Sequence, residues 1–167
     1  LGATEGVFLS ADFYTTFIFF EIMSFTSYMW VAHDEKKESL RAASTYLAVA
    51  VIGGLVMLMG IFLLYDVTGT LFFDDLIGAY FQYGMLSCLS TAPMQIWIAG
   101  LCMLFGFGAK AGAFPLHIWL PKAHPVAPAP ASALLSGILT KAGIYGILIL
   151  TSYVFLGDYA WGCLILI

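Results

Sequence analysis

Three ionisable residues lie deep inside long apolar segments of the chain, where a charge is energetically expensive. Glu21 lies eight residues into one segment, which is about 12 Å along a helix. Lys110 and Lys141 each lie ten residues from an end of their own segment, about 15 Å deep. A charge at that depth costs about 2.5–3.5 kcal/mol on insertion scales. A lysine stem is too short to return the ammonium group to water from there, so the three residues indicate a function.

These residue types suit the transfer of protons. Burial disfavours the charged form of a lysine, so a buried lysine can release a proton near neutral pH, whereas a nearby carboxylate keeps it charged. We therefore expect Glu21 and Lys110 to form a switchable pair and Lys141 to carry the proton onward. A second interpretation stays open, in which one buried salt bridge only holds helices together.

A helix break is predicted just past Lys110. Pro115 lacks a backbone donor and clashes with the preceding turn. Broken backbone at membrane depth is tolerated only where protein or a water-lined cavity satisfies it, and it is common near the ion sites of transporters. Alternatively, Pro115 ends a helix near the surface. His117 and His124 flank the break and are candidate relay residues, although a histidine near a loop more often completes a local hydrogen-bond network.

The composition predicts an all-α, polytopic membrane protein. Of 167 residues, 62% are hydrophobic and 10% are charged, against about 45–50% and about 25% in soluble domains. Six Lys and Arg against ten Asp and Glu leave no basic surface for nucleic acid. The cysteines Cys88, Cys102 and Cys163 lie far apart without metal-ligand spacing, so we expect no iron–sulfur or zinc site in this chain.

The apolar segments predict four membrane spans, each long enough to cross about 30 Å of hydrocarbon. The expected spans are residues 13–32, 43–65, 94–120 and 131–156, and a further helix begins at about 159. The stretch 76–89 is too short to cross and is expected to be an interfacial helix. Residues 1–10 resemble the end of an earlier helix, and the chain ends inside an apolar run, so we expect a fragment of a longer protein.

The charged residues predict the orientation. Outside the membrane, the basic residues all fall in the loops 33–42 and 121–130, and acidic residues predominate at the other end. Under the positive-inside rule these two loops face the cytoplasm. A prokaryotic cytoplasmic membrane is the expected location.

Three sequence motifs resemble those of the antiporter-like subunits found in respiratory complex I, in membrane-bound hydrogenases including formate hydrogenlyase, and in multisubunit Na⁺/H⁺ antiporters. The segment Gly106–Pro128 (GFGAKAGAFPLHIWLPKAHPVAP) resembles the family signature. Phe20–Tyr28 (FEIMSFTSY) resembles the glutamate helix of the family, and Leu134–Tyr145 (LLSGILTKAGIY) resembles its lysine helix.

The resemblance implies an inverted-repeat fold with a broken helix, of which this chain would cover most of the first repeat. By motif position, Glu21 corresponds to the family's glutamate and Lys110 to the lysine of the broken helix. Lys141 corresponds to the central lysine of the next helix. The second repeat would lie outside this chain, so this piece alone should not complete a proton path.

The resemblance also implies a function. We expect a proton-translocating subunit of a redox-driven complex, such as a membrane-bound hydrogenase or complex I. It would hold no redox centre itself. Its partners would be other membrane subunits and a peripheral arm that carries the iron–sulfur, nickel–iron or flavin groups. The residues around Lys122 favour hydrogenase-linked complexes, because complex I members often have an acidic residue there. The alternatives are a Na⁺/H⁺ antiporter subunit and a structural membrane scaffold.

Overall fold

The computed structural model describes residues 1–83 and 93–166, and over these ranges the chain is mainly helical. The α-helices are α1 (Gly2–Leu9), α2 (Phe13–Ala32), α3 (Lys37–Thr68), α4 (Phe73–Tyr83), α5 (Pro93–Ala111), α6 (Leu120–Ala123), α7 (Ala129–Leu134), α8 (Thr140–Tyr153) and α9 (Tyr159–Leu166). A 3₁₀ turn, Leu116–Trp119, precedes α6, and a π-helical turn, Leu135–Leu139, joins α7 to α8.

Three helical stretches of the described chain are long and apolar enough to cross a membrane: Lys37–Thr68, Met94–Ala123 and Ala129–Tyr153. Helix α2 has the bounds expected for the first span but is not among the three. Helix α2 has the length of a span and carries one charge. It differs from the three stretches in its mean hydropathy, which is lower. Its membrane crossing stays a prediction. Part of the predicted interfacial helix, residues 84–89, lies outside the described residues, as does Cys88.

Helix α5 lies against α3 with almost no side chains between the two backbones. A Cβ built on Gly53 would lie 2.9 Å from the Cβ of Ala109, and one on Gly60 would lie 2.7 Å from the carbonyl oxygen of Ala99. Small residues of this kind let membrane helices approach closely. Since later residues of α3 meet earlier residues of α5, the helices are antiparallel. Helix α3 therefore ends, and α5 begins, at the same end of the bundle.

The other side of α5 packs against α8 in the same way. A Cβ on Gly143 would lie 2.6 Å from the carbonyl oxygen of Phe107. The Phe107 ring also meets Phe20 of α2 edge to face, with the ring centroids 5.5 Å apart. Helix α5 is thus the central element, enclosed by α2, α3 and α8.

Loops 33–42 and 121–130, which hold the basic residues outside the predicted spans, lie at one end of the bundle. Arg41 and Lys122 line one hollow, and His33 and Pro128 line another, so loops 33–42 and 121–130 lie at the same end. At the opposite end, the segments before α2 and α4 pair through their backbones, with Phe73 N donating to Ala11 O at 3.0 Å. The basic loops therefore share one end, and which side of the membrane they face stays a prediction.

Candidate functional site

Lys110 is buried at the centre of the bundle, in the last turn of α5. Its side chain is 3% exposed. The Nζ donates to Ser24 Oγ of α2 at 2.7 Å and to Tyr46 Oη of α3 at 2.6 Å. It also lies 4.9 Å from the centroid of the Tyr46 ring and 5.7 Å from that of Phe20. Hydroxyl groups and aromatic faces therefore hold this cation.

Glu21 lies one turn before Ser24 on α2, and its carboxylate rests on Gly54 of α3. A Cβ built on Gly54 would lie 2.8 Å from Glu21 Cδ, so only glycine leaves room for the carboxylate there. Oε1 of Glu21 is buried and has no hydrogen-bond partner among the described residues. Buried polar atoms are nearly always paired in proteins, so an unpaired carboxylate oxygen needs an explanation.

Lys110 reaches the turn of α2 that follows Glu21, because it donates to Ser24, but the direct pair expected from the sequence is not formed. Within the described parts of the chain, ion pairs closer than 4.0 Å involve only His33, Asp34 and Lys36 of the exposed loop. The hydrogen bonds of Lys110 Nζ go to two hydroxyl groups and not to the carboxylate.

The Tyr46 hydroxyl group extends this network to Ser27 of α2. Tyr46 Oη and Ser27 Oγ form a short hydrogen bond, and Ser27 Oγ lies 2.7 Å from the carbonyl oxygen of Met23, to which it donates. A serine hydroxyl has a single proton, so Tyr46 must donate to Ser27 while it accepts from Lys110. Both hydroxyl-bearing side chains are about as buried as Lys110 itself.

The helix break lies just past Lys110, as the sequence predicted. Helix α5 ends at Ala111, and Gly112 has a φ of +77°, a left-handed conformation that favours glycine. Ala113 N then donates to the carbonyl of Gly108 at 2.9 Å. Pro115 follows in the connection to the 3₁₀ turn. The helix therefore ends at the glycine, three residues earlier than the proline that the prediction used.

Trp119 satisfies a carbonyl group that the break leaves free. Its side chain is 1% exposed, and Nε1 donates to the carbonyl oxygen of Ala109 at 2.8 Å. The Trp119 ring also packs on the Tyr46 ring, with the centroids 4.8 Å apart. Because the last carbonyls of a helix lack intrahelical donors, this indole group closes the end of α5 and fixes the residues beside Lys110.

The other candidate residues lie apart from this cluster. Lys141 is exposed, directly after the first residue of α8. His117 is exposed and stacks on Phe114, with the ring centroids 5.8 Å apart. His124 is half-buried, and its Nδ1 lies 2.7 Å from Ser132 Oγ. The structure thus brings together Glu21 and Lys110, and it places the third charge and both histidines elsewhere.

Sequence reasoning missed the residues that hold Lys110. Ser24, Ser27 and Tyr46 are single polar residues in apolar helices, and Trp119 stands out in the sequence only as part of a longer motif. One signal was present: Glu21, Ser24 and Ser27 recur every three residues, which places them on one face of a helix. A polar line of this kind in an otherwise apolar helix indicates a buried network.

The family of this chain follows from a match over nearly its whole length. A family model described as NADH:quinone oxidoreductase/Mrp antiporter, transmembrane, matches residues 10–167. The chain belongs to the NADH:quinone oxidoreductase/Mrp antiporter family. Together with the three apolar helical stretches, this makes it part of an integral membrane protein.

The relatives that resemble this chain are named as subunits of different complexes. The chain is 32% identical over 161 residues to a Na⁺/H⁺ antiporter subunit of Bacillus subtilis, a match that covers 96% of this chain and 31% of the relative. It is 40% identical over 131 residues to hydrogenase-4 component B of Escherichia coli, which covers 78% of this chain and 18% of the relative.

A solved structure of the family has the same fold. A chain in the structure of the Mrp complex from Dietzia sp. DQ12-45-1b superposes with a TM-score of 0.80 at 28% identity. The match covers 95% of this chain and 29% of that chain. The sequence thus spans less than a third of the length of each of these three relatives.

Proposed function

We propose that this chain is the proton-handling part of an antiporter-like membrane subunit, in which Lys110 binds and releases the transported proton. The observation that carries the proposal is the environment of Lys110. A buried lysine donates to two hydroxyl groups, and one helical turn from the first of them lies a buried carboxylate oxygen that has no partner among the described residues.

This environment suits a group that changes its charge. The ammonium form has three N–H donors, and a neutral amine keeps two, which is enough for Ser24 and Tyr46. Lys110 can therefore lose a proton without losing a hydrogen bond. A direct salt bridge would instead keep Lys110 charged, because loss of its proton would leave a buried carboxylate charge unpaired, which is costly. In our proposal, the charge of Glu21 favours proton uptake by Lys110, and a change in that charge favours release.

Lys141 would act after Lys110. Its exposed position on α8 supports a role in passing the proton to a part of the protein outside this stretch, such as the second inverted repeat. The limited share of each relative that the chain covers supports a path that continues beyond it. The local contacts of His117 and His124 give them no link to Lys110, so we leave them out of this path.

We favour a redox-driven complex as the setting. The 40% identity to hydrogenase-4 component B supports this assignment. In such a complex the iron–sulfur, nickel–iron or flavin groups would belong to partner subunits of a peripheral arm. Loops 33–42 and 121–130 would face the cytoplasm of a prokaryotic cell.

A Na⁺/H⁺ antiporter is the second candidate. The 96% coverage of this chain by the antiporter relative and the superposition on the Mrp complex favour it. Native mass spectrometry of the gently solubilised complex separates the two. Bound iron–sulfur or nickel proteins would support the redox-driven complex, and small membrane subunits alone would support the antiporter.

Transport by substituted proteins tests the proposal itself. The full-length protein in its complex is studied in inside-out vesicles, driven by its electron donor or by a sodium gradient. Lys110→Met and Glu21→Gln should each lower proton transport by on the order of 100-fold, the usual loss when a proton-transfer group is removed. The control Lys122→Met, at an exposed lysine, should stay within about twofold. Normal transport by both site variants would refute the proposal.

A further inference from the structure

A second hydroxyl group extends the hydrogen bonds of Lys110 through Tyr46 to Ser27. We propose that Tyr46 and Ser27 form a proton relay that leads from Lys110 towards the end of the bundle carrying loops 33–42 and 121–130. This inference rests on the proposed function, because it assigns a route to the proton that Lys110 carries.

The relay is a continuous series of three buried groups. Lys110 Nζ lies 2.6 Å from Tyr46 Oη, and Tyr46 Oη is hydrogen-bonded to Ser27 Oγ. The side chains are 3%, 1% and 1% exposed, so the bonds lie in a low-dielectric interior where they are strong. Each hydroxyl oxygen can accept one proton and donate another, which is what proton conduction along such a series requires.

The relay leads towards the loop end. Helix α2 runs from Phe13 to Ala32, and Ser27 is about 9 Å nearer its loop end than Glu21 at the helical rise. On α3, a further buried hydroxyl group lies between Tyr46 and the loop. Ser39 is 2% exposed and, seven residues before Tyr46, shares its face of the helix. Lys110 thus has a hydroxyl series on its loop side and the Glu21 carboxylate on the other.

Uptake of a proton by the neutral amine balances as a concerted transfer. When the neutral amine turns its lone pair to Tyr46 and both hydroxyl groups point towards Lys110, the lone pair takes the Tyr46 proton and the Tyr46 oxygen takes the Ser27 proton. Ser27 takes a proton from a water molecule on its loop side, which leaves as hydroxide. One N–H and two O–H bonds form, and three O–H bonds break. No electrons change hands. The transfer leaves Lys110 donating to Tyr46 and Tyr46 donating to Ser27, so before the next uptake both hydroxyl groups must rotate to point towards Lys110.

Ser27 separates this role from simple solvation of the lysine. The contacts of Lys110 Nζ are with Ser24 and Tyr46, so Ser27→Ala leaves both in place and interrupts only the relay. Tyr46→Phe removes the hydroxyl group but keeps the ring on Trp119. Each change has a matched control on its own helix. Thr26 is exposed and bonds the carbonyl of Ile22, and Tyr65 is 54% exposed.

The experiment measures proton transport in inside-out vesicles that contain the full-length protein in its native complex, with assembly checked by native mass spectrometry. Ser27→Ala and Tyr46→Phe should each slow transport by about tenfold or more. The double variant should be no slower than the slower of the two single variants, because both substitutions interrupt the same series of hydrogen bonds. Thr26→Ala and Tyr65→Phe should stay within about twofold of the wild type.

The pH profile adds a result that a purely structural role would not give. With the relay cut, loading of Lys110 from the loop side should limit the rate. Transport by Ser27→Ala should then rise more steeply than wild type as the pH on that side is lowered. If Ser27→Ala and Tyr46→Phe match their controls while Lys110→Met abolishes transport, the relay is wrong and the proposed function stands. If Lys110→Met transports normally, the proposed function fails and the relay fails with it.

Discussion

Gly54→Ala should impair transport without weakening the fold. The added Cβ would overlap Glu21 Oε1 and lie 2.8 Å from Glu21 Cδ, whereas ordinary contact begins at 3.4 Å, so the carboxylate must move by about 1 Å. The carboxylate is the end of a flexible side chain, and its displacement is energetically cheap. Alanine is also favoured over glycine inside a helix by about 0.5–1 kcal/mol. The thermal midpoint in detergent should therefore stay the same or rise.

The same displacement should be costly for function. A misplacement of about 1 Å can lower a rate on the order of 100-fold, so a shift of Glu21 by this distance should lower proton transport by on the order of 100-fold. The assay is transport in vesicles alongside a thermal melt of the same preparation. Normal transport by Gly54→Ala, at a normal melting temperature, would refute the claim that the position of Glu21 matters.

Two further glycines serve as controls. Gly53→Ala places a Cβ 2.9 Å from the Cβ of Ala109, which cannot rotate away, so the helices must separate. It should lower stability by about 1–3 kcal/mol. A Cβ on Gly137 meets no atom within 4 Å, so Gly137→Ala should leave transport and stability near wild type.

Three other predictions concern the break, the third charge and the orientation. Trp119→Phe removes the donor to the Ala109 carbonyl and should lower the free energy of unfolding by about 1–3 kcal/mol. The measurement is the thermal midpoint, which should fall. An unchanged midpoint would contradict the role given to the indole group. Lys141→Gln should reduce transport while the complex still assembles, and full transport would remove Lys141 from the path. In cysteine labelling of intact cells, Asp74→Cys should react with an impermeant reagent and Glu38→Cys should not, and the reverse pattern would invert the proposed orientation.

Much of the helical framework could be predicted from the sequence. Helix α2 has the bounds expected for the span 13–32, and the structure gives the reason for its start: Asp12 Oδ1 accepts from Thr15 N at 2.7 Å as an N-cap. The sequence also predicted a helix break past Lys110. The prediction rested on Pro115, whereas the helix ends before Gly112. The glycine at which α5 ends could not be assigned, because several glycines lie nearby and only the fold shows which one has a positive φ.

The arrangement around the site was less predictable. Depth along an apolar segment is read from the sequence, but the direction in which a residue faces around the helix depends on its neighbours. This is why Lys110 and Lys141, at similar depths, differ in the structure, with one buried and the other exposed. The hydroxyl partners of Lys110 come from α2 and α3, which only the tertiary packing brings to it.

The most direct test of the account replaces both buried charges at once. Glu21→Leu with Lys110→Met removes the charges without leaving either one unpaired, so a purely structural role predicts normal or improved function. If Glu21 and Lys110 carry the proton, the complex should assemble and keep its electron transfer or sodium binding, yet build no proton gradient in vesicles. A proton gradient equal to that of the wild type would contradict the central claim that these residues carry the proton.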